Sequence, residues 1–214
     1  MSFAEAWQQM SAGMIETCKI FFLTLLFTLP LGMVIAFGRM SKIKPIRWIT
    51  TVYISIMRGT PLMLQLLVVY FGPSLIFEGY SLDRFQAVII GFVLNYAAYF
   101  AEIYRAGIES MPKGQYEAAK VLGYNKEQTF VKIILPQVMK RVLPPITNEV
   151  ITLVKDTSLA FSISHLEMFN MAKQLSATHS SLMPLLVAGV FFYVFNLLVA
   201  LVMNGIEKKM NYYR

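Results

Sequence analysis

Apolar residues in this chain gather into long runs separated by short basic stretches. Three runs, residues 20–38, 59–77 and 182–206, are free of charge, and crossing a hydrocarbon core takes about 20 apolar residues in a helix. A fourth run, 85–101, is charge-free but slightly short, and a fifth, 136–156, sets Glu149, Lys155 and Asp156 among aliphatic residues. The pattern predicts an all-α integral membrane protein of about five transmembrane helices in one domain covering 1–214. The spans are expected over about 20–38, 52–77, 85–105, 136–156 and 182–206, with a cytoplasmic loop over about 110–132. Pro30, Pro61 and Pro73 fall within or beside spans, where neighbouring helices can satisfy the freed carbonyls; they either kink the helices or simply pack.

Composition agrees with the pattern, since 57% hydrophobic residues in 214 exceeds what an ordinary soluble domain carries. Glu5 and Glu16 precede the first apolar run, where a cleaved secretory signal would carry positive charge, so that run is expected to stay in the membrane. Basic residues fix the threading. Arg39, Lys42, Lys44, Arg47 and Arg58 follow the first span; Arg105, Lys113, Lys120, Lys126, Lys132, Lys140 and Arg141 lie between the third and fourth; Lys208, Lys209 and Arg214 end the chain. The opposite side receives Lys19, Arg84 and Lys173, so the amino terminus is expected outside and the carboxyl terminus in the cytoplasm of a multi-pass membrane protein. The net charge of +7 sits beside the spans rather than on one soluble face, which argues against nucleic acid and for anchoring against anionic lipid, as at residues 39–47. Cys18 is the only cysteine, excluding an internal disulfide or a cysteine-based metal site, and is expected to pack at the membrane edge.

The cytoplasmic loop reads as two short helices. Ser110 can cap the first, with Pro112 in its opening turn, and the helix runs to Gly123, which can take positive φ at its end. Asn125 and Gln128 form a capping-box pattern for the second, and Pro136 marks the return to the membrane. Tyr116, Ala119 and Gly123 share a narrow face of the first helix that fits a groove, although periodicity alone favours a surface helix lying on its own bundle.

The stretch EAAKVLGYNKEQTFVKIILP, residues 117–136, resembles the EAA loop of permease subunits of ATP-binding-cassette importers, with Glu117, Ala118, Ala119, Gly123, Ile133, Leu135 and Pro136 in register. RGTPLMLQL (58–66), NYAAYFAEIYRAGIESMPKGQ (95–115) and KDTSLAF (155–161) are similar to the polar amino-acid branch of that family. The resemblance implies that the first loop helix is a coupling helix, with Glu117, Ala118, Ala119 and Gly123 contacting a separate ATPase subunit. It also implies a second permease chain, identical or homologous, an external solute-binding protein, and ATP with Mg held by the ATPase and not by this chain. In keeping with this, the chain has no GxxxxGK[ST] phosphate loop, and no HExxH or GxSxG. No catalytic constellation is present, and His165 and His179 are expected as solvated residues of the outer loop.

On a helix, Asn148 lies above Lys155 and Glu149 above Asp156, with Thr152 between, giving one polar stripe. Charges at a bilayer centre cost about 2.5–3.5 kcal/mol each, against about 0.3–0.6 kcal/mol returned per Val, Ile or Leu, so the stripe must face the bundle interior or water. Mutual neutralisation is one account. However, two acids against one base leave a negative surplus, which a zwitterionic amino acid would balance: its α-carboxylate on Lys155, its α-ammonium on Asp156, its side chain toward Glu149. The resemblance supports such a site on the lysine and aspartate of a KDTSL-like stretch. Asn95 is a further contact or, equally, an interhelical hydrogen bond. An unpaired Glu149 favours cationic or strongly polar side chains. The alternative is an ion-coupled secondary carrier with Glu149 and Asp156 as proton or sodium sites. Glu102 and Arg105, three apart, are expected to pair with each other, and Arg58 to snorkel to the interface.

Overall fold

The computed structural model describes residues 2–77 and 80–210. Arg214, counted above among the inner charges, lies outside the described residues. The described residues are helical, and three helices are long and apolar enough to cross a membrane: α2 (Ser11–Arg39), α5 (Arg84–Glu109) and α10 (Met183–Met210). A short leading helix, α1 (Phe3–Gln9), is fixed by a capping box in which Ser2 and Glu5 exchange backbone and side-chain bonds.

The span expected over 52–77 is not continuous. The chain forms α3 (Lys44–Gly59) and α4 (Leu62–Ile76), which meet at 112°. Pro61 explains the break, because it has no N–H to give the preceding turn and pushes Thr60 to extended φ −125 and ψ 149. The pair counts as one broken span or a re-entrant loop. Downstream, α6 (Lys113–Val121) and α7 (Lys126–Thr129) form the loop, a π-helical turn follows over Phe130–Ile134, and α8 (Leu135–Asp156) continues from it. α8 is as long as a span but too polar to qualify as one by composition.

Helix α5 is the centre of the bundle and packs against α2, α3, α4 and α8. Of its apolar stretch 61% is buried, against 11% for α10, so α10 is a rim helix whose apolar face is left for lipid or another chain. Small residues bring α2 onto α5: a Cβ on Gly32 would lie 2.9 Å from Phe100 Cβ and 3.2 Å from the Ala97 carbonyl. Beside it the Thr28 hydroxyl donates to the Val93 carbonyl at 3.2 Å.

A 3-10 turn over Thr157–Ile163 leads to α9 (Met168–Thr178), outside the spanning helices. Ala6, Met10, Met168, Ala172, Val187 and Ala188 bury one another where α1, α9 and α10 meet. Glu167 caps α9 by accepting from Phe169 N at 2.6 Å and Asn170 N at 2.8 Å, and it is fully buried. Burial pushes its carboxyl up to about 7, although the two backbone donors pull the other way. Folding therefore favours the protonated form. The stability this group contributes is full below the ordinary carboxylate range and is lost as pH rises through about 7. Thermal unfolding of the complex should show stability falling from about pH 5 to about pH 8 by an amount on the order of 2–3 kcal/mol, and Glu167→Gln should flatten that slope. An unchanged slope would mean that the carboxyl ionises normally. Neighbouring His165 is not a solvated loop residue: its side chain is 11% exposed, with Nε2 3.5 Å from Glu16 Oε2.

Candidate functional site

Helix α5 places Asn95, Tyr99 and Glu102 along one face at intervals of one turn. The last turn of α3 brings Arg58 to that face, and α8 supplies Arg141 and Glu149 from the other side. Between them lies a cleft of about 590 Å³ lined by Arg58, Tyr99, Glu102, Arg141 and Glu149 among others. The Arg58 guanidinium stands 5.3 Å from the Tyr99 ring centroid and 3.9 Å from Glu102 Oε2. Glu102 is held more tightly by Arg105, at 2.6 Å, with Arg39 at 3.8 Å, and Arg105 also pairs with Glu109. The expected Glu102–Arg105 pair is thus present. Arg58 does more than snorkel, because it reaches into the cleft. Arg141 is anchored by donating to the Ser110 carbonyl at 2.9 Å and to its hydroxyl at 3.1 Å. Glu149, half-buried, makes no hydrogen bond or ion pair among the described residues.

The polar stripe of α8 resolves into two files. At about 100° per residue, Asn148, Thr152 and Lys155 cluster on one line, while Glu149 and Asp156 share the adjacent one. The first file is exposed in the single chain. The second turns toward α5, where the Tyr96 hydroxyl, on a 2% exposed residue, donates to Asp156 Oδ2 at 2.7 Å. Mutual neutralisation does not occur: among the described residues Lys155 has no acid within salt-bridge range. Asn95 takes the structural alternative. It is 5% exposed and its amide donates to the Met57 carbonyl at 3.1 Å and to Gln65 Oε1 at 3.0 Å, so it does not line the cleft.

In the loop, Pro112 and not Ser110 precedes α6. Ser110 closes α5 instead, its hydroxyl donating to the Gly107 carbonyl at 2.7 Å, because α5 runs on to Glu109 and leaves no room for a cap at 110. Gly123 adopts φ +80, and the Asn125–Gln128 capping box forms, with bonds of 2.8 and 3.1 Å. Glu117, Ala118 and Gly123 are exposed, but Ala119 is 1% exposed and turned into the chain, which corrects its assignment as a partner contact. Val121 and Leu122, at 87% and 73% exposed, stand further out than the loop's other exposed hydrophobics, Tyr116, Tyr124 and Val131, and the sequence reading missed them. It also missed Tyr96, Tyr99, Gln65 and Arg141. The clue for Tyr99 was present, since it falls four residues after Asn95 and three before Glu102.

The chain matches the family described as binding-protein-dependent transport system inner membrane component over residues 28–212. It is 39% identical over 200 residues to the arginine transport system permease protein ArtQ of Bacillus subtilis (strain 168), covering 92% of this chain and 90% of that protein. The L-cystine transport system permease protein TcyB of the same organism is 36% identical over 211 residues, covering 97% of this chain and 88% of its own. A crystal structure of an amino acid ABC transporter with histidines superposes with a TM-score of 0.89 at 30% identity, covering 98% of this chain and 99% of that one. None of these relatives supports the ion-coupled carrier alternative. The chain belongs to the binding-protein-dependent transport system inner membrane components, among the permease subunits of amino-acid ABC importers.

Proposed function

We propose that this chain forms half of a translocation path for a polar amino acid with a cationic side chain, and that Glu149, Lys155 and Asp156 hold the substrate. One observation carries the reading: Glu149 offers a carboxylate with no partner among the described residues, across a cleft from the loosely held guanidinium of Arg58. A substrate cation would satisfy the first. Asp156 keeps one oxygen on Tyr96 and has the other for an α-ammonium. Lys155 presents its ammonium for the α-carboxylate from the file it shares with Asn148 and Thr152. That file is exposed on a membrane-embedded helix, where lipid contact would be costly, so it fits a water-filled path closed by a second permease chain. The relatives are named for arginine and cystine, both zwitterions with polar side chains.

The basic asymmetry supports an outer amino terminus and a cytoplasmic carboxyl terminus. So does the gathering of Arg39, Arg58, Glu102 and Arg105 at one end of the bundle, with Glu16, Lys19, Asp83, Arg84 and His165 gathered at the other. In this threading the cleft opens inward. Energy comes from a partner ATPase that holds ATP and Mg and meets α6 through Glu117, Ala118, Val121 and Leu122. The solute-binding protein delivers substrate at the outer end.

The test is a competition assay on the purified permease–ATPase complex, with each of the twenty amino acids displacing radiolabelled arginine. Arginine, lysine and histidine should compete about tenfold or more better than leucine or valine. Equal competition by the aliphatic residues would overturn the cationic reading.

A further inference from the structure

The break between α3 and α4 leaves the last carbonyls of α3 without the intrahelical donors a continuous helix would supply, and they must find others. Pro61 cannot serve, having no N–H. Gln65, in the first turn of α4, does: its Nε2 lies 3.0 Å from the Met57 carbonyl, 3.1 Å from the Thr60 carbonyl and 2.8 Å from the Thr60 hydroxyl. Asn95 of α5 supplies a second donor to the same Met57 carbonyl, at 3.1 Å, and holds Gln65 Oε1 at 3.0 Å. Two side-chain amides thus join three helices at one backbone oxygen. The Thr60 hydroxyl completes the arrangement by donating to the Ile56 carbonyl at 2.8 Å.

The residue after Met57 is Arg58. On α5, Tyr99 and Glu102 follow Asn95 by four and seven positions and lie on the same face. Fixing the Met57 carbonyl on Asn95 therefore sets the next residue against the next turns of α5. There the Arg58 guanidinium sits 5.3 Å from the Tyr99 ring and 3.9 Å from Glu102. Neither contact is short enough to place a half-exposed arginine by itself, and the side chain has many rotamers. The backbone must be placed first.

We propose that Gln65 and Asn95 are positioning residues: their amide clamp on the Met57 carbonyl sets Arg58 at the cleft, opposite Glu149, and so tunes substrate affinity. This rests on the reading of the cleft as the substrate path. The clamp touches no substrate and acts through Arg58.

The test is a double-mutant cycle on the purified permease–ATPase complex, read as the Kd for radiolabelled arginine, with basal ATP hydrolysis and the amount of co-purifying ATPase measured alongside. Gln65→Met and Asn95→Leu each keep side-chain volume and leave one donor on Met57. Each should shift the Kd for arginine about five- to tenfold with basal hydrolysis and assembly unchanged, and neither should shift it further in an Arg58→Ala background. Fully additive effects in that background would overturn the clamp while leaving the cleft reading intact. If Arg58→Ala itself leaves the Kd unchanged, the clamp has nothing to act through and the proposal falls, while the reading of Glu149, Lys155 and Asp156 stands. Variants that lose co-purifying ATPase but bind arginine normally once assembled would assign the amides to folding alone and overturn the proposal.

Discussion

Gly123→Val is expected to uncouple the importer, with uptake falling about 30-fold or more while ATP hydrolysis by the assembled complex continues. The reason lies in the backbone. Gly123 sits at φ +80 just past the end of α6, and the turn closes with Tyr124 N donating to the Ala119 carbonyl at 3.0 Å and Gly123 N to that of Lys120 at 3.1 Å. This is the two-bond pattern of a glycine C-cap, which uses the left-handed region to satisfy the last carbonyls of the helix. A β-branched residue there costs at least about 1–2 kcal/mol. No atom lies within 4 Å of where its Cβ would stand, so the effect is strain and not collision. The strain is relieved by re-forming the turn, which moves Val121 and Leu122, the exposed apolar pair proposed to meet the ATPase. The membrane helices do not depend on this turn, so the protein should reach the membrane in normal amount. Gly123→Ala, with a milder penalty, should fall between the two. Uptake assays in vesicles beside ATPase assays of the same preparation decide it. Normal transport by Gly123→Val would remove the coupling assignment.

What could be read from the residues follows from how local each signal is. The Asn125–Gln128 box and the positive φ of Gly123 are decided within a few residues, and both stand as the pattern implied. The pairing of Glu102 with Arg105 is equally local. Pro61 marked a disturbance, but whether a proline kinks a helix or splits it depends on what receives the freed carbonyl, and one of the two donors here, Asn95, is 38 residues from Met57. The polar stripe of α8 was legible as a set of residues. Its division into an exposed file and one facing α5 was not, because the rotation of a helix about its axis is set by its neighbours. Ala119 failed for the same reason: a small residue on a short helix suits a partner's groove and the chain's own core alike. Glu167 gave no warning, since a buried carboxylate that caps a helix looks in sequence like any loop acid.

The largest effect within the membrane is expected at Glu149. Among the described residues nothing neutralises its carboxylate by direct contact, although Arg58 lines the same cleft. A substrate bearing a cationic side chain supplies the missing counter-charge in a half-buried cleft, where solvent screens the pair less than at an open surface. Removing one partner of a desolvated charge pair costs about 2–5 kcal/mol, and solvent still reaching this cleft should hold the loss near the low end. Glu149→Gln preserves shape and hydrogen-bonding capacity but removes the charge. Arginine binding to the purified complex should therefore weaken about 10- to 100-fold, whereas glutamine, which asks only for a hydrogen bond, should change less than about threefold. The ratio of the two losses is the informative quantity, because damage to the path as a whole would weaken both alike. If both substrates lose affinity equally, Glu149 shapes the cleft without reading charge, and the preference for a cationic side chain has no basis at this position.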